Sequence, residues 1–195
     1  MKRLSRANLT ALVAAAVVVL LGVAALTTAR VLESRNQAYD FALTDQNGQI
    51  FRLSQERGHA VALFFGYTHC PDVCPATLAR LAAARASLGK DRNDIRVVFV
   101  TVDPRRDTPQ RMKTYLATFD PSFVGVTGTE RQLAPVYRAY HVWYQELPKT
   151  TAGLEALEAH TATITLIDRT GHLQGFADWS DSIAVLAQHF RAAAS

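Results

Sequence analysis

The sequence predicts an α/β protein, a central mixed sheet flanked by helices, preceded by one N-terminal transmembrane helix. Three observations predict it. Two short runs, the wholly apolar AVALFF at 60–65 and the largely apolar, β-branched IRVVFVTV at 95–102, have the length and composition of buried central strands. Helical patterns alternate with them, and a hairpin and a last helix close the chain, which is the order of a layered α/β sheet. From Ala7 to Ala29 there is no charged residue, and at about 1.5 Å per residue such a helix crosses a hydrocarbon core about 30 Å thick.

The elements follow in order. Lys2, Arg3 and Arg6 precede the apolar run and keep the N-terminus cytoplasmic, so the domain lies on the periplasmic, exported side of an inner-membrane anchor over 1–29. A cleaved signal peptide is the rival reading, but the run is long and TTARVLES is a poor cleavage site. No cysteine follows the run, which excludes a lipoprotein. A polar linker, 30–38, leads to the domain at 39–195. DFALTDQNGQIFRL reads as a hairpin turning at Asn47-Gly48. After the strand at 60–65, a helix is expected from Pro75 to Leu88, ending at Gly89. The strand at 95–102 runs into DPRRDTP, where Thr108 and Pro109 suit the N-cap and first turn of a helix through about Phe119. VGVTG follows, and Thr129 to Gln132 fits a capping box for a helix to about Tyr140. His141 to Gln145 reads as an edge strand and 146–159 as a long loop with at most one helical turn. Thr161–Ile167 and His172–Phe176 flank Asp168-Arg169-Thr170-Gly171 as a hairpin. The last helix begins near Asp181, with Ile183, Leu186, Ala187 and Phe190 on one face.

Charge excludes one function class. The formal net charge is +4, but Lys2, Arg3 and Arg6 account for three of the 21 basic residues, leaving 18 against 17 acidic ones. A nearly neutral domain has no basic stripe to match a phosphate backbone, so nucleic acid is not a partner.

The only two cysteines, Cys70 and Cys74, stand together in GYTHCPDVCP. A structural disulfide there would close too short a loop to gain much entropy, and a domain of this length buries an adequate core without one. A Cys-x-n-Cys segment between a buried strand and a helix is the thioredoxin arrangement. Residues four apart share a helix face, and a helix N-terminus favours thiolate. Thiolates serve disulfide exchange and metal binding equally, so the pair alone leaves both chemistries open; two of them suit soft Cu(I) better than Mg or Ca. A third ligand has to come from the six histidines. His59, His69, His141, His172 and His189 have surface or structural roles available to them, whereas His160 ends a long loop and opens a strand in HTATITLID. Met112 is the only methionine beyond Met1, which excludes a methionine-rich copper site.

GYTHCPDVCP, TVDPRRDTPQRMKTYLATFDPSFVGVTGT and HTATITLIDRTGHL together resemble the Sco (SenC) family of membrane-anchored copper-binding proteins, over about residues 38–190. The resemblance implies a thioredoxin-like fold with copper held by Cys70, Cys74 and His160, as Cu(I) and, as a second state, Cu(II). It also implies a role in delivering copper to the CuA site in subunit II of cytochrome c oxidase, or in exchange with another copper chaperone. The alternative is a thiol-disulfide reductase that keeps the acceptor's copper-site cysteines reduced. Under either reading an enzymatic label stays open. The family commonly has an aspartate before the histidine; here it is Ala159. Asp103 and Asp72 are the candidates to support the site from beyond the ligands: Asp103 from behind them or simply as a turn residue, Asp72 as a charge facing a partner or simply solvated.

Overall fold

The computed structural model describes residues 15–28, 36–143, 145–146, 157–158 and 163–195. Residues 15–28 form a helix, α1, with every side chain exposed. No helix among the described residues is long and apolar enough to cross a membrane. The rest of the expected anchor, 1–14 and 29, lies outside them.

Residues 38–195 form a compact unit. Its sheet has seven strands: β1 (Ala42–Asp45), β2 (Ile50–Arg52), β3 (Ala60–Gly66), β4 (Ile95–Thr101), β5 (Val124–Thr127), β8 (Thr163–Ile167) and β9 (Leu173–Asp178), in the order β2-β1-β5-β4-β3-β8-β9. β3, β4 and β5 are parallel, while β8, β9, β1 and β2 join antiparallel, so the sheet is mixed. All seven residues of β3 are buried, as the unbroken apolar run requires. β3 and β4 pair from Ala60↔Ile95 to Gly66↔Thr101, so both chains leave the sheet at the same edge. Helices α2 (Val73–Ala86), α3 (Pro109–Ala117), α4 (Glu130–Ala139) and α5 (Ile183–Ala194) flank it; α2 packs on α5, α5 on β3 and β8, and α3 on β5.

The hairpin turns at Gly48, whose φ is 78°. Thr108 caps α3 by accepting from the Arg111 N–H, and Thr129 and Gln132 form the expected capping box on α4. Two expectations need correction. α2 begins at Val73, not Pro75, which places Cys74 inside the first turn. Of the edge strand expected over 141–145, residues 141–143 form no strand, because His141, at φ 53°, closes α4. The Val142 N–H bonds the Tyr137 carbonyl at 2.8 Å and the His141 N–H that of Arg138, a Schellman closure that turns the chain. β6 (Gln145–Glu146), which begins at the last residue of the expected edge strand, pairs antiparallel with β7 (Leu157–Glu158), which lies in the stretch read as loop.

Candidate metal centre

Buried β3 ends at Gly66, and the chain then makes a tight turn, with the Cys70 N–H bonding the Tyr67 carbonyl at 3.2 Å. α2 starts three residues past Cys70 without a conventional cap: Asp72 stands at the N-cap, exposed, and its side chain bonds no helix N–H. The Cys70 sulfur takes that place. It accepts the Cys74 N–H at 3.3 Å, so one of the unpaired donors of the helix start points at sulfur. The two cysteines are not bridged; Cys70 is partly exposed and Cys74 is buried.

A hydrogen bond with Cys70, then burial, then the Cys70 charge push the Cys74 thiol far up, against the pull of the Tyr67 N–H. Loss of the Cys74 proton is therefore disfavoured beside an ionised Cys70, and metal binding or disulfide formation has to displace it. Tyr67 is buried, and burial first, then the negative charge of both cysteines, raise its phenol; its hydroxyl bonds the Cys70 side chain. The Tyr115 hydroxyl is buried without a hydrogen-bond partner among the described residues, and burial followed by the charges of Cys74 and Cys70 raises it as well.

Of the two aspartates expected to support the site, Asp103 is buried; its N–H bonds the Thr101 hydroxyl and its carboxylate accepts from Arg106 Nε. Asp72 faces solvent. His160 lies outside the described residues, as does Ala159. The group that sequence reasoning missed is Asp107, which is fully buried. Its carboxylate accepts from the Thr68 N–H at 3.1 Å, the Thr68 hydroxyl at 2.5 Å and the Thr101 hydroxyl at 2.7 Å. Burial raises its pKa, partly offset by those bonds. The signal in the sequence was the Asp before Thr108-Pro109, legible only as a lead into a helix.

His69, Asp103 and Asp107 bring potential ligand atoms within 4.8 Å of one another. Arg106 occupies Asp103, however, and three donors occupy Asp107. Burial, then Arg111 and Arg106, lower the His69 pKa against the opposing pull of Asp107 and Asp103. The sulfurs are the better metal donors.

A buried parallel strand that delivers a dithiol onto a helix N-terminus, at the carboxyl edge of a mixed sheet, defines a thioredoxin-like dithiol protein. The SCO1/SenC family model matches residues 30–195, and the chain belongs to that family. An SCO2-like protein of Rickettsia prowazekii is 38% identical over 131 residues, 67% of this chain and 64% of its own length. The match thus spans slightly under two thirds of that relative. Among solved structures, Bradyrhizobium japonicum ScoI with copper bound superposes at a TM-score of 0.74 with 36% identity, covering 81% of this chain and 99% of that one. Apo Sco1 from Thermus thermophilus, in solution, gives 0.69 with 36% identity, covering 78% and 90%.

Proposed function

We propose that this protein is a membrane-anchored copper carrier that holds one copper through Cys70, Cys74 and His160 and delivers it to the CuA site in subunit II of cytochrome c oxidase. The observation that carries the reading is the dithiol itself: two cysteines turned together at a helix start, one partly exposed and one buried, in a relative of a protein solved with copper bound. Two thiolates and an imidazole suit Cu(I). Chain reach supports the histidine. β8 enters the sheet at Thr163, antiparallel to β3 with Ile164 opposite Phe64, at the end of β3 that leads to Cys70. His160 stands three residues before Thr163, a span of at most about 11 Å.

Delivery proceeds by ligand exchange. An acceptor thiolate approaches copper from the open side at Cys70, the histidine gives way, and buried Cys74 is the last donor to let go. The uncharged run from Ala7 to Ala29 supplies the anchor, with the domain on the exported side of the inner membrane. Alkaline carbonate extraction should leave the full chain in the membrane pellet; release into the supernatant counts against an anchor.

Anaerobic Cu(I) titration against a competing chelator tests the ligand set. One copper per reduced chain is expected, with affinity at least about tenfold weaker in His160→Ala and lost in Cys70→Ser and Cys74→Ser. Equal affinity in parent and His160→Ala would remove the histidine from the site.

The asymmetric burial of the two cysteines also favours a second reading, a thiol-disulfide reductase. Cys70 would attack a partner disulfide and form a mixed disulfide, and Cys74 would attack Cys70, releasing the partner as a dithiol and leaving Cys70–Cys74 oxidised. That activity needs no histidine, so His160→Ala should leave exchange rates unchanged while copper affinity falls.

A further inference from the structure

We propose that Asp107 is a positioning residue for the metal site: its buried carboxylate, acting through Thr68, holds the loop from Gly66 to Cys70 in the shape that turns the two sulfurs together. The inference rests on the copper reading above and adds to it a residue that touches neither sulfur nor metal.

The parallel register sets the geometry. Gly66 lies opposite Thr101, and the Val102 N–H still bonds the Gly66 carbonyl at 2.8 Å, so the loops leaving β3 and β4 run side by side. Asp107 sits between them. Burying a carboxylate is costly unless hydrogen bonds replace its water. Two of the three donors that do so belong to Thr68, its N–H and its hydroxyl, and the third is the Thr101 hydroxyl on β4. One side chain thus clamps both the backbone and the side chain of a residue two positions before Cys70, and ties them to a strand end that the core fixes.

The plainer role for an Asp before Thr-Pro is to cap the helix. Here Thr108 already does this by accepting the Arg111 N–H, so no cap is left for Asp107 to make. Arg111 bonds the outer side of the same threonine, its Nε to Thr68 Oγ1 at 2.8 Å, and His69 Nδ1 lies 3.9 Å from the Asp107 carboxylate. The carboxylate is therefore the inner anchor of a loop whose outer face is open. Without it the loop samples shapes in which Cys70 and Cys74 diverge, and copper affinity falls by the fraction of time spent in them.

The test uses the full chain in detergent, with Cu(I) affinity, the Cu(II)–thiolate absorption band and the copper hyperfine splitting as readouts. Thr68→Val removes the hydroxyl while leaving the Asp107 charge in place, and Thr68→Ser restores it. Asp107→Asn removes the charge, and Arg111→Met removes only the outer bond. Leu186→Ala, in the core of α5, is a control for lost stability. Thr68→Val and Asp107→Asn should bind Cu(I) about tenfold more weakly and shift the absorption band and hyperfine splitting. Thr68→Ser and Arg111→Met should stay near the parent, and Leu186→Ala should melt earlier with parent-like copper binding. Should Asp107→Asn fail to fold, the Thr68 pair decides alone. Parent-like affinity and spectrum in Thr68→Val overturn the inference, and so does an equal copper loss in Leu186→Ala. A parent that binds no copper overturns the copper reading itself, a distinct result.

Discussion

Gly66, the last residue of β3, has no room for a side chain. A Cβ built there would stand 2.7 Å from Phe99 Cε2 and 2.8 Å from Cys74 Sγ. Phe99 is fully buried, so the ring cannot swing aside. Gly66→Ala should therefore destabilise by about 1–3 kcal/mol, read from the urea midpoint, because overpacking forces either the ring or the sulfur to move. Displacing the Cys74 sulfur should also lower Cu(I) affinity in the same variant; an unchanged midpoint and affinity would mean that the strand end relaxes without cost. At this scale the cysteines were legible because their chemistry resides in residue type and spacing. Gly66 and Asp107 were not: one matters for a ring 33 positions away, the other for Thr68, 39 positions away, and no local pattern announces such neighbours. Asp72, read as a partner-facing or solvated charge between the cysteines, faces solvent.

Helices and strands were easier to read, since their signals are local. The capping box on α4 and the apolar run of β3 each follow from a few adjacent residues. The closure of α4 was missed because a left-handed histidine is uncommon, and without it VWYQ looks extended. The pairing of β6 with β7 joins segments about a dozen residues apart with no turn pair between them to suggest a hairpin. Tertiary ties between elements were also hidden, and the buried Arg85 is the clearest. From α2 it bonds the Ile95 carbonyl at the start of β4 and the Asp120 carboxylate beyond α3, at 3.1 and 2.8 Å. Burial opposes ionisation of Asp120, but the Ser122 backbone and hydroxyl and the Arg85 guanidinium outweigh it and hold the carboxyl below its ordinary 3.8. A folded pKa below the unfolded one stabilises fully above the unfolded value and is lost as pH falls through the folded one. Asp120→Asn should thus cost stability at pH 7 and lose that difference from the parent below about pH 4. Arg85→Met, which leaves the Asp120 carboxylate to Ser122 alone and removes a donor from the Ile95 carbonyl, should cost about 1–3 kcal/mol. Neither variant should alter copper affinity, since the pair lies at the far end of α2 from the cysteines; urea melts at several pH values, beside Cu(I) titration, check both statements.

Across the whole domain, topology gathers chemistry that the chain disperses. The parallel pair β3 and β4 empties two loops at one sheet edge, and antiparallel β8 starts at that same edge. Cys70 and Cys74, Asp103 and Asp107, and the start of β8 at Thr163 thereby share one end of the sheet although they span about ninety residues. A metal held by the loop after β3 and by the chain entering β8 would cross-link segments that separate when the sheet comes apart. Copper should therefore stabilise the native state by linkage, about 4 kcal/mol at a free concentration near a thousand times Kd. Thermal melts of reduced chain at rising Cu(I) activity should show a midpoint that climbs with log concentration once Kd is passed. In His160→Ala the climb should begin at higher copper, in proportion to its weaker binding. In Cys74→Ser it should vanish. A midpoint that stays flat in the parent, while titration still finds one copper bound, would mean that the unfolded chain holds the metal as tightly through its two nearby cysteines. The site would then owe its affinity to the sequence of the loop rather than to the sheet that assembles it.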